Sequence, residues 1–264
     1  MTPANFTKAA GVGAALAMVV LMGMVVGSPP GQAQDWSEEA SKVQIGFAVA
    51  PVPLNLAGKD RRLVGLGSYL VNAANDCNFC HTAGGPPNFN FAAGFNPYFG
   101  EKKKTDPTTY LAGGAPFGTE LPFNVPPGLG YGEYLGPTIV ARNLTPDKNG
   151  LPEGGHTLAQ FMEILRTGVD LDHIHPTCKS TSDPNVAAGI CIPPPVDGSR
   201  LQVMPWPDFQ NMTDHDLEAI YEYLSAIPCI DNTSGTPPAG APNELRNNCG
   251  NRCELSAASV GRKT

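Results

Sequence analysis

The feature that most restricts this chain is the pentapeptide Cys77-Asn78-Phe79-Cys80-His81. C-x-x-C-H is the attachment signature of a c-type haem. The chemistry needs that order. Two thiols add across the haem vinyl groups and tie the porphyrin to one helical turn. The histidine that follows the second thiol then faces the iron and supplies the proximal ligand. Two other uses of paired cysteines fit less well. A structural zinc would want a second Cys/His pair at short spacing, and none stands in matching form. A thioredoxin-like redox pair would want a βαβ setting, which is missing.

The compartment adds weight to the haem reading. Residues 1–33 have the form of an export signal: Lys8 gives a short positive start, Ala9 to Val26 is apolar, and Gly31-Gln32-Ala33 makes a small-residue cleavage site ahead of Gln34. The apolar run is also long enough to span a bilayer, so an uncleaved membrane anchor is the alternative. Either way the remainder is expected in the periplasm. Five cysteines remain outside the motif: Cys178, Cys191, Cys229, Cys249 and Cys253. They suit an oxidising compartment. Being odd in number, they leave one thiol over. A Cys178–Cys191 disulfide is the preferred pairing in the middle of the chain, and a bridge from Cys229 to Cys249 or Cys253 would tie back the tail.

A chain of 264 residues with 41% hydrophobic content can build one full-sized domain, or a small one with large decorations. Its 30 glycines and 27 prolines exceed a fifth of the chain, so much of it is loop. The formal net charge of −7 argues against nucleic acid, whose binders carry basic patches. The single basic run, Lys102-Lys103-Lys104, reads as a solvated loop, with docking to an acidic partner as the alternative.

Taken in order, residues 34–59 are expected to be an extended arm on the domain surface. Asp60 can cap a helix in which Leu63, Leu66, Leu70 and Ala74 recur at helical spacing. Gly65 and Gly67 weaken that helix by roughly 1 kcal/mol each against alanine, which suggests that another helix crosses closely there. The helix is expected to run into Cys77 and carry the motif at its end. Residues 84–137 form a long, aromatic-rich insertion, expected to pack over the haem edge or the domain flank. Thr157-Leu158-Ala159-Gln160 has capping-box form and opens a helix that stops at Gly168. A second irregular stretch, 169–200, holds His173 and His175. Thr213 caps a last helix whose buried stripe is Leu217, Ile220, Tyr221 and Leu224. Pro228 ends it, and 229–264 is a polar tail.

With these residues in view, the chain resembles the class I-type monohaem cytochromes c, in particular those that serve bacterial periplasmic dehydrogenases and respiratory chains. The resemblance rests on Gly67-Ser68-Tyr69-Leu70-Val71 ahead of Cys77 to His81, on Asn143-Leu144-Thr145-Pro146-Asp147, on Phe161 through Gly168, and on Met204-Pro205-Trp206 ahead of Asp216 to Leu224. It covers about two-thirds of the stretch 60–228. It implies an all-α, cytochrome c-like haem domain at 60–228 interrupted by the 84–137 insertion. It also implies first and last helices that cross near the haem, and His/Met ligation.

One covalent haem c is therefore expected, held by Cys77 and Cys80, with His81 as proximal ligand. Met204 fits the sixth position. It lies in a loop before the last helix, and Pro205 stiffens the chain behind it. Met212 and Met162 are the rivals and read as core residues. His173 and His175 read as exposed or locally bonded imidazoles, with a distal ligand or small metal site as the alternative; His156 and His215 read as surface residues. The expected function is electron transfer between redox proteins, such as a dehydrogenase or another cytochrome, without catalysis by the chain itself. A peroxidase-like haem enzyme with a displaceable sixth ligand is the competing class. A subunit docked on a dehydrogenase through the insertion is a variant of the first.

Overall fold

The computed structural model describes residues 30–75, 77–82, 91–113, 116–117, 139–147, 149–153, 155–171, 176–187, 191–201 and 203–230. The described fold is helical apart from one short antiparallel pair, β1 (Pro116–Phe117) with β2 (Ile139–Val140), and isolated bridges. The helices are α1 (Pro30–Val49), α2 (Arg61–Tyr69), α3 (Asn78–His81), α4 (Leu158–Thr167), α5 (Pro184–Ala187), α6 (Trp206–Phe209) and α7 (Asp214–Leu224). Among the described residues no helix is long and apolar enough to cross a membrane. The apolar run Ala9–Val26 lies outside them.

The start of the domain corrects the sequence reading. Most of the expected extended arm is helix α1, which lies along α2. Only residues 50–60 are non-helical, and they include a turn at Ala57–Gly58. Pro51 ends the helix by disfavouring helical geometry in the residue before it, and Val52 is buried behind it. α1 packs closely on α2: a Cβ on Gly46 would lie 1.9 Å from the Gly65 carbonyl oxygen, and one on Gly65 would lie 2.6 Å from Val43 Cγ1.

The inference drawn from the α2 glycines holds on both faces. Gly65 admits α1. Gly67 admits α7, where a Cβ would stand 1.8 Å from the Ala219 oxygen. Asp60 caps α2 by accepting from the Arg62 and Leu63 amides at 2.7 and 3.4 Å. Thr213 caps α7 by accepting from the Asp216 amide at 3.1 Å. The expected stripe of α7 is buried, and it joins Val64, Val71, Phe161 and Leu165 in one core.

The insertion does more than cover that core. Tyr110 and Leu111 are fully buried within it. Tyr110 donates to Asn72 Oδ1 at 2.6 Å, and its hydroxyl stands 2.8 Å from that of Tyr223. Asn72 Nδ2 donates to the Tyr223 hydroxyl at 3.1 Å, and Ser68 Oγ to the Gly46 carbonyl at 2.7 Å. Polar side chains from α2, the turn after it, the insertion and α7, with a backbone carbonyl of α1, thus satisfy one another inside an apolar core. The tip of the insertion is different in kind: Tyr98, Phe99 and Lys102 to Lys104 are exposed.

Candidate functional site

The motif does not sit on the end of α2, as the sequence reading had it. α2 passes into one π-helical turn, Leu70–Ala74, and stops. A fresh short helix, α3, begins after Cys77. The Cys77 amide reaches back to the Val71 carbonyl at 3.3 Å, and the His81 amide closes the turn on the Cys77 carbonyl at 3.0 Å. The break sets the direction of the motif independently of α2, which is already committed to α1 and α7.

Within that turn Cys77 and Cys80 are three residues apart, the spacing that brings side chains to one helical face. Both are partly exposed, and Cys77 borders the core. His81 is tied at two points: its carbonyl accepts from the Gly113 amide at 2.7 Å, and its ring Nδ1 lies 2.9 Å from the Arg142 carbonyl. A carbonyl can only accept, so Nδ1 carries the proton and Nε2 is the ring nitrogen with a lone pair for a metal. The enclosed imidazole is pushed below its ordinary value of 6.5, chiefly by burial. The Arg142 carbonyl and the Glu153 carboxylate act upward, and the Arg142 guanidinium acts downward. The net direction favours the neutral ring, which is the ligating form.

The turn is closed from below by Thr82, which is buried. Its hydroxyl donates to Asn78 Oδ1 and accepts from the Leu111 amide at 3.2 Å. Two residues ahead of Cys77, the side-chain Nδ2 of Asn75 is buried and meets no acceptor among the described residues. Two thiols and a neutral imidazole on one turn, with a spare buried donor at the end of the preceding turn, are groups that would suit a carboxylated porphyrin.

Met204 also borders the core, but so do Met162 and Met212, and burial does not separate the three. What distinguishes Met204 is how its segment is held. Arg200 donates to the Thr167 carbonyl, and the Leu201 amide to the Gly168 carbonyl at 2.7 Å. Trp206 lies against Gly168, where a Cβ would meet the indole at 2.2 Å. Gly168 is also left-handed, with φ +71°, as the end of α4 requires. The Trp206 amide returns to the Met204 carbonyl at 2.8 Å, making a tight turn at the methionine.

The Cys178–Cys191 disulfide forms as expected, and Cys229 is in a disulfide whose partner lies outside the described residues. His173 and His175 also lie outside them. His215 is exposed, as expected. His156 is not: it is 1% exposed, and its Nδ1 stands 2.6 Å from Glu153 Oε2. Its buried setting comes from the turn at Glu153, which presents the ring inward before α4 starts. Sequence reasoning also passed over Arg142 and Asp170, charges whose pairing with each other joins segments distant in the chain. Among the described residues no group of three or more His, Cys, Asp or Glu stands ready to hold a metal ion. In comparisons with family models, curated proteins and solved structures, nothing matches the chain.

Proposed function

We propose that the chain is a periplasmic monohaem c-type cytochrome that passes single electrons between redox proteins. What supports this reading is the turn at Cys77–His81: two cysteines three residues apart, with the His81 ring held by the Arg142 carbonyl so that Nε2 is the nitrogen that would face iron. In this reading the thiols of Cys77 and Cys80 bind haem covalently, and His81 and Met204 are the axial ligands of a cytochrome c-like domain. The bound group supplies the one-electron Fe(III)/Fe(II) couple.

The chain's own residues do the rest. Covalent attachment keeps the cofactor bound in a compartment where it would otherwise be lost. Two strong ligands hold both axial positions, so little rearrangement accompanies electron exchange. Thioether ligation by Met204 favours Fe(II) over what a second imidazole would give. The acidic surface suits a basic face on a partner, through a small and short-lived interface.

Protein made in a periplasm with haem-maturation machinery tests this. The spectrum of the denatured, reduced protein is expected to show one covalent haem per chain, and Cys77→Ala/Cys80→Ala none. Loss of all haem on denaturing extraction of the unaltered chain would contradict it. Rapid carbon monoxide binding to the reduced native protein would instead support an open sixth site and the peroxidase-like reading.

A further inference from the structure

Behind the proximal histidine lies a buried cluster of an arginine, two carboxylates and a histidine that attachment and ligation of a haem do not themselves require. Arg142, Glu153, Asp170 and His156 are each less than a tenth exposed. The Arg142 guanidinium donates to Glu153 Oε1 at 3.2 Å and to Asp170 Oδ1. Glu153 also pairs with His156. The four residues come from the strand exit after β2, the turn before α4 and the segment after α4. Taking charges out of water is expensive, and a buried ion pair replaced by apolar residues is often no less stable. Stability alone is therefore a poor reason for this arrangement.

The cluster sits where it can act on both proposed ligands. The residue whose side chain it clamps, Arg142, is the one whose carbonyl orients His81. Glu153 is close enough to act electrostatically on the His81 ring. Asp170 has its amide on the Ser199 carbonyl at 3.0 Å, in the segment that leads to Met204. One guanidinium with its two carboxylates therefore ties the orientation of the proximal ring to the loop of the sixth ligand.

We propose that Arg142, Glu153 and Asp170 are positioning residues that set the reduction potential of the iron held by His81. This rests on the haem reading above. Negative charge behind the imidazole favours Fe(III); the guanidinium opposes it. At fixed pH, Asp170→Asn and Glu153→Gln are expected to raise the midpoint potential, and Arg142→Gln to lower it. Each shift is on the order of tenfold in the one-electron equilibrium, ~59 mV. Asp170→Glu, which keeps the charge, is expected to restore the original value.

Opposite signs for acid and base removal are what a merely structural role would not produce, since loosening the site moves every variant the same way. The haem content of each variant is measured alongside. Acid variants with one haem, an unchanged sulfur-to-iron band and an unchanged potential would overturn the inference and leave the haem reading intact. Shifts of one sign in all variants would also overturn it. If Arg142→Gln does not fold, the two acid variants and Asp170→Glu decide. An unaltered chain without covalent haem would overturn both readings.

Discussion

On one side of Cys77, α1, α2 and α7 approach until backbone meets backbone, with Gly46, Gly65 and Gly67 at the crossings. On the other side, the segments that meet the short turn of His81 are loops, held by buried charges and hydrogen bonds to carbonyls, and the chain between α4 and α6 carries a disulfide. The first region obtains its precision from shape: nothing larger than glycine fits, and the register of three helices follows. The second obtains it from directed polar contacts, which leave the backbone irregular and fix single side chains such as the His81 ring. A scaffold and a site thus lie side by side, and the π-turn at Leu70–Ala74 is where one passes into the other.

The largest effect is expected at the scaffold. Gly67→Val drives a side chain into the Ala219 carbonyl and should lower stability by about 3 kcal/mol or more, measured by denaturant unfolding. A smaller loss would mean that α2 and α7 can slide apart, and that shape is not what fixes them. On the other side, removing the Cys178–Cys191 bridge as a double serine variant should remove about 3 kcal/mol by loop-closure arithmetic. Reductant should reproduce much of that loss without mutation.

The tyrosine knot joins the two regions and is expected to matter less. Tyr223→Phe leaves Tyr110 and Asn72 each short of a buried partner, a loss of about 1–3 kcal/mol. The same knot predicts a pH dependence. Burial pushes the Tyr110 hydroxyl well above the ordinary tyrosine value of 10.0, and that of Tyr223 above it as well. A raised value in the folded state means that the unfolded chain releases its protons first. The contribution to stability is therefore complete below about pH 10 and is lost as pH rises beyond it. Thermal unfolding followed from pH 9 upward should show a decline that Tyr223→Phe makes shallower; an equal decline in the variant would remove the knot as its source. The smallest effect is expected at the exposed Arg62–Glu39 pair, where Arg62→Ala should change stability by less than about 0.5 kcal/mol.

The contrast also decides what could be read from sequence. Caps at Asp60, Thr157 and Thr213, the stop at Gly168 and the stripe of α7 are local, so residues a few positions apart carry them. Gly65 and Gly67 announced crossings because a weak helix former inside a periodic helix needs a reason. Helix α1 was missed because its apolar pattern is faint and its partner, α2, supplies the packing that stabilises it. The break before Cys77 was missed because α2's periodicity continues through Ala74. The role of Tyr110 was missed because its pairing with Tyr223 joins segments brought together only by the fold. The burial of His156 was missed because, although its pairing with Glu153 is local, the direction in which that turn presents the ring depends on what packs over it.

The measurement closest to the central claim is the optical spectrum of the oxidised holoprotein, beside Met204→Ala. A covalent haem held by His81 and Met204 predicts a sulfur-to-iron charge-transfer band in the unaltered protein and its loss in Met204→Ala, with one haem retained in both. A band that survives Met204→Ala, or a singly loaded protein with no band at all, would contradict that ligand pair.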